Sequence, residues 1–152
     1  MNRQALIDRI SNAFCVEPDY PWRKSPDAAV FRHVDSQKWF GLLMSVSPQS
    51  LRIPGDARID ILNVKCDPLL NGSLRQRPGF LPAYHMNKEL WISIILNEVS
   101  DDDVMELVCS SYDLTSSAKG HDNTTQPVTK AQNYHELDRH YVPKRKLEDL
   151  LI

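Results

Sequence analysis

The chain has 152 residues, of which 41% are hydrophobic and 25% charged, and its formal net charge is −2. That balance suits one domain with a tail, and it excludes a chain-wide electrostatic pull towards nucleic acid or anionic membrane, so any such binding needs a local basic patch. No apolar run nears the roughly 18 residues of a membrane span, no signal-peptide core follows the first residues, and Cys15, Cys66 and Cys109 form no C-x-x-C pair, which argues against a disulfide framework or zinc ribbon and for a cytoplasmic protein with reduced thiols.

Residues 2–14 read as an amphipathic helix, because Leu6, Ile10, Ala13 and Phe14 recur at three- and four-residue steps. The run Glu17-Pro18-Asp19-Tyr20-Pro21-Trp22 stops it, since a residue before proline avoids the helical region. Tyr20 and Trp22 are expected to cap one end of the core. Strands follow over 28–33 and 39–46, joined by a hairpin-length connection. In the first, Ala29, Phe31 and His33 share one face, with Val30 and Arg32 on the other. After Pro48 and Pro54-Gly55-Asp56, residues 58–65 alternate with both faces partly apolar, which predicts a central strand.

Asp67-Pro68 opens a short helix, with Asp67 at the N-cap and Pro68 in the first turn. Leu69, Leu70 and Leu74 form its expected apolar stripe, and Pro78-Gly79 ends it. Two prolines place 80–84 at a sheet edge or in a loop, and 91–96 is a strand. Ser100 caps the last helix, whose dipole Asp101, Asp102 and Asp103 complement; the acidic run is a helix start rather than a metal site. Val104, Leu107, Val108 and Leu114 are its predicted buried face. From Ser116 the composition turns polar, and 117–132 reads as a linker. Residues 134–152 mix both charges with Leu137, Tyr141, Val142, Leu147, Leu150 and Leu151, a segment suited to a short helix docking on the domain or on a partner. The element order predicts an α+β domain over 1–116: a two-layer antiparallel sheet of about five strands packed by helices, with a flexible tail over 117–152.

Two constellations could carry function. Lys65, Arg75, Arg77 and Lys88 against Asp67 give residues 65–88 a local charge of +3, while 98–106 carry −5. These four cations, with Arg32 on the first strand, are the candidate phosphate contacts, and Tyr84 is a candidate stacking platform. The second constellation is the loop or pocket of Tyr84, His85, Asn87 and Trp91 beside Lys88, which could hydrogen-bond an anionic ligand. The structural alternative has His85 and Asn87 satisfying turn backbone groups and Trp91 filling core. A Cys66–His85 pair, or a metal held by Cys66, Asp67 and His85, lacks a supporting spacing motif. No catalytic residue, metal or cofactor is expected.

Lys38-Trp39-Phe40, the run 60–68, the run 78–91 and Ser111-Tyr112 together resemble the MmcQ/YjbR family over about 1–116. Leu90 departs from the pattern, standing where the family often carries His before the Trp. The resemblance implies a small α+β fold similar to CyaY-like (frataxin-like) and secretion-chaperone-like architectures. It also implies DNA binding through a double-wing arrangement. A family member associated with mitomycin resistance suggests small-molecule binding as an alternative. The expectation is a non-enzymatic, monomeric binding module with DNA as its partner. A small-molecule binder using a pocket near 85–91, or a protein-interaction or chaperone-like module, are the alternatives.

Overall fold

The computed structural model describes residues 1–116; the predicted linker and tail lie outside the described residues. Helix α1 spans Arg3–Phe14, and the Asn2 side chain caps it by accepting from the Ala5 amide at 2.8 Å. It ends before the prolines are reached, because Cys15 adopts a left-handed φ of 55°. Then come β1 (Ala29–Arg32), β2 (Trp39–Val46), β3 (Ile59–Lys65), α2 (Pro68–Leu74), β4 (Phe80–Pro82), β5 (Trp91–Ile95) and α3 (Asp101–Thr115). The five strands form one antiparallel sheet in the order β1-β2-β3-β5-β4, so β3 is central and the proline-bearing β4 is an edge, as the sequence predicts. The architecture is α+β.

Strand alternation sorts the apolar side chains onto two faces. Phe31, Phe40, Leu62, Val64, Ile92 and Ile94 pack with Leu6 and Ile10 of α1 and Val104 and Val108 of α3. Trp22, Val30, Leu42, Met44, Ile61 and Trp91 form a second cluster on the other face. No α-helix of the described residues contributes to that second cluster; connecting segments cover it, among them Ala83, Met86 and Leu90, with Leu51 of a 3-10 turn packed against it. Gly79, at φ +89°, turns the chain into β4, where a Cβ would lie 2.5 Å from Val99.

Three predicted core positions are corrected. Tyr20 is 48% exposed and only Trp22 enters the core. In α3, Leu114 is exposed and the inward turn is taken by Ser111 and Thr115. Ser111 Oγ donates to the Phe40 carbonyl at 2.7 Å and accepts from the Lys65 amide at 2.9 Å. These backbone groups lie past Leu42↔Asn63, the last paired position of β2 and β3, so the helix hydroxyl completes bonds that the sheet leaves unmade. Thr115 Oγ1 donates to the Ser111 carbonyl at 2.8 Å and meets His33 Nε2 at 2.8 Å. The third correction is α2. Of its three leucines only Leu74 packs against the core; Leu69 is 88% and Leu70 54% exposed, while the polar Asn71 is buried.

Candidate functional site

The site begins at a polar pair in the middle of the sheet. Asn63 of β3 and Ser93 of β5 are direct cross-strand partners, and both are fully buried. The Ser93 hydroxyl donates to Asn63 Oδ1 and accepts from the Tyr84 amide at 2.9 Å. Asn63 Nδ2 donates to the Tyr84 carbonyl at 3.1 Å. Both backbone groups of Tyr84 are thus held by the sheet beneath, which is where a buried Asn and Ser find the partners that burial demands.

Beyond Tyr84 the chain reverses at His85, which is held at φ 59°. That region is costly for a residue with a β-carbon and persists where the surroundings over-determine it. The surroundings here do so. Asn87 Oδ1 accepts from the amides of Glu89 (2.8 Å) and Leu90 (3.1 Å), and Lys88 Nζ donates back to the Ala83 carbonyl at 2.9 Å. From the other side, buried Asn71 of α2 donates to the Trp91 carbonyl at 3.0 Å, and its Oδ1 accepts from Arg75 Nε at 2.7 Å. Arg75 then donates to the Lys88 carbonyl at 2.6 Å. The segment 83–91 is therefore tied to the sheet, to α2 and to itself.

Between α2 and this segment lies an open cleft of about 490 Å³, lined by Pro68, Asn71, Gly72, Arg75, Asn87, Glu89 and Leu90. The Arg75 guanidinium is oriented at its wall by two of its donors, and the exposed Lys88 stands at the adjoining turn. Glu89 places a carboxylate on the same lining. The cleft can therefore take a ligand carrying an anionic group towards Arg75 and Lys88, with a cationic or hydroxyl group tolerated near Glu89.

The predicted site residues divide. Arg75 and Asn87 line the cleft, and Lys88 stands on the adjoining turn with its Nζ on the Ala83 carbonyl. Tyr84 and His85 are half-buried with ring centroids 3.7 Å apart, but they do not line it. Trp91 is 2% exposed and fills the second core cluster. Lys65 is 4% exposed, because position 65 shares the covered face with Ile61 and Asn63, and its Nζ lies 5.8 Å from the Trp91 ring centroid. A phosphate contact from that buried position is corrected to a packing role. Arg77 pairs with Asp103 at 3.1 Å in the first turn of α3 and lies over Phe80. Phe80 opposes Ile94 at the far end of β5 from Trp91. The Arg77 side chain is thus turned towards Asp103 and Phe80, while that of Arg75, two residues earlier, is turned back towards Asn71 and the Lys88 carbonyl. Arg32, on the edge strand β1, pairs with Asp19 at 3.1 Å and lies over Trp39. The five cations do not form one face.

Sequence reasoning missed Asn63, Asn71 and Ser93. Their signal was present as polar residues at inward positions of otherwise apolar runs. Cys66 is no activated nucleophile: burial, followed by the neighbouring Asp67 carboxylate, pushes its thiol up to about 11. Among the described residues, no three His, Cys, Asp or Glu side chains are placed to hold a metal, and no helix is long and apolar enough to cross a membrane.

The pattern of the YjbR family matches residues 14–114. The chain belongs to the YjbR family. A Bacillus subtilis (strain 168) relative, "Uncharacterized protein YyaQ", is 40% identical over 116 residues, spanning 76% of this chain and 98% of that protein. A Pseudomonas syringae protein seen in a crystal structure superposes with a TM-score of 0.75 at 46% identity, over 76% of this chain and all of its own. A Deinococcus radiodurans crystal structure shares the fold, with a TM-score of 0.53 at 20% identity over 83% of this chain and 87% of its own. The YjbR match includes both walls of the cleft and stops just short of the last described residues.

Proposed function

We propose that this YjbR protein is a non-enzymatic binding module of the cytoplasm that engages the phosphates of DNA at the rim of the α2 cleft. The observation that carries this reading is the Arg75 guanidinium held at the cleft wall by its bond to the Lys88 carbonyl at 2.6 Å, with the Lys88 side chain, itself fixed on the Ala83 carbonyl at 2.9 Å, on the turn beside it. Cations fixed in advance lose less side-chain freedom on binding than free ones. The double-wing DNA contact implied by family resemblance is narrowed to these two side chains, with Asn87 shaping the turn between them. The second reading, a small anionic ligand seated in the cleft, is favoured by the roughly 490 Å³ of open cleft between α2 and the loop.

Binding of labelled duplex and single-stranded DNA across a salt series tests the first reading. It expects affinity to fall steeply with salt as neutralised phosphates release counterions, and to be lost in Arg75→Glu/Lys88→Glu. Absence of binding at low salt would remove DNA as the partner. A small phosphorylated or carboxylated compound that shifts Arg75 and Asn87 resonances in that DNA-silent protein would support the second reading.

A further inference from the structure

We propose that the exposed face of α2 formed by Pro68, Leu69 and Leu70 is the docking surface for this chain's own C-terminal segment, residues 134–152. Adjacent leucines 88% and 54% exposed on an ordered helix are unusual. They are not needed to hold α2 in place. Asn71 anchors that helix through the Trp91 carbonyl, and Asp67 caps it through the Leu69 amide. A two-turn helix fixed by these polar bonds and by Leu74 against the core, with Leu69 and Leu70 turned outward, presents those two to something else.

Three observations select the occupant. First, α3 delivers the chain to the right end of the sheet. Ser111 is bonded to the Lys65 amide, and Asp67-Pro68 begins α2 two residues later. The 17 residues from 117 to 133, taken as a coil, span roughly 23 Å, enough to reach α2 from Ser116. Second, the segment has matching chemistry. Leu147, Leu150 and Leu151 stand at i, i+3 and i+4, the spacing of one helical face. Lys144-Arg145-Lys146 precede them, while Asp67 precedes the α2 face in the chain and Glu89 lines the cleft together with Pro68. Third, the segment is additional to the family domain. The YjbR match ends at residue 114, and the Bacillus relative is spanned almost fully by three-quarters of this chain.

Amide hydrogen exchange on the full-length protein tests this, with the mass in solution measured alongside. Three proteins are compared: wild type, Leu147→Asp/Leu150→Asp, and Leu69→Asp/Leu70→Asp. The proposal expects wild-type amides of 69–74 to exchange at least several-fold more slowly than in the tail variant, in a monomer. It also expects protection within 134–152 to be lost in the α2 variant. The tail variant changes nothing inside the described domain, so it decides the matter even where the α2 variant folds poorly. Equal α2 exchange in wild type and tail variant overturns the proposal. Protection that disappears on dilution together with a dimeric mass also overturns it, by making a second copy the occupant.

Discussion

The two faces of the sheet are closed by different physics. The α1/α3 face is mainly an apolar layer in which helix and strand side chains meet by periodicity, with Ser111 and Thr115 as its polar contacts at one end of the sheet. The opposite face joins apolar residues to a set of polar pins, Asn63, Ser93 and Asn71, which hold an irregular segment against the sheet. The difference follows from backbone demands. A helix satisfies its own peptide groups, whereas a loop laid over a sheet must find partners from below. Where the covering layer is a loop, buried side-chain amides and hydroxyls become part of the architecture and hold the segment above them in place.

The comparison is broken most severely by removing bulk from either face. Phe40→Ala on the helix side and Trp91→Ala on the loop side should each cost about 3–5 kcal/mol in urea-induced unfolding. A much smaller loss for Trp91→Ala would mean that the loop side adds little to the core. Removing a pin should be milder and more local. Asn63→Ala strands the Tyr84 carbonyl and is expected to cost about 1–3 kcal/mol, with faster amide exchange across 84–90 and little change in α1. Uniform exchange changes throughout the domain would show that the pins are not specific to the loop.

The helix side carries one titratable hinge. His33 is buried between Phe40 and Tyr112 and bonded to Thr115. Burial lowers its pKa from the ordinary 6.5, more than the nearby Asp35 raises it. Below about 6.5 the unfolded chain therefore takes up a proton that the folded chain resists. This contribution to stability is complete above that pH and declines as the pH falls through it towards the folded-state value. Unfolding measured from pH 7.5 to 5 should show that decline, and His33→Gln should flatten it. An unchanged slope in the variant would assign the decline to other groups. The smallest effect is reserved for Arg77→Ala, whose exposed pair with Asp103 should contribute less than about 1 kcal/mol.

The helix side was largely legible in the sequence, and the loop side was not. Ser100 announced its helix, the apolar spacing over 2–14 announced α1, and β2 runs over the predicted residues 39–46. A 3.6- or 2-residue period reports an element that buries one face, which is how α1 and the strands behave. Leu69 and Leu70 failed the same rule because α2 is anchored by Asn71 rather than by apolar area. Ser111 and Thr115 displaced Leu114 because the ends of β2 and β3 needed a hydroxyl more than a side chain of greater bulk. At the site, the sequence identified Arg75, Asn87 and Lys88 but grouped Arg77, Arg32 and Lys65 with them. Proximity along the chain does not reveal that Arg77 turns to Asp103 in the first turn of α3 while Arg75 turns back to Asn71 and the Lys88 carbonyl.

That separation supplies the most direct test of the account. Phosphate-dependent DNA binding at low salt should be compared for Arg75→Glu, Lys88→Glu and Arg77→Glu, with folding verified for each. The account predicts losses of at least tenfold for the first two and less than about twofold for Arg77→Glu, since only the first two cations share the cleft rim. Equal losses from all three would place them on one binding face and contradict it.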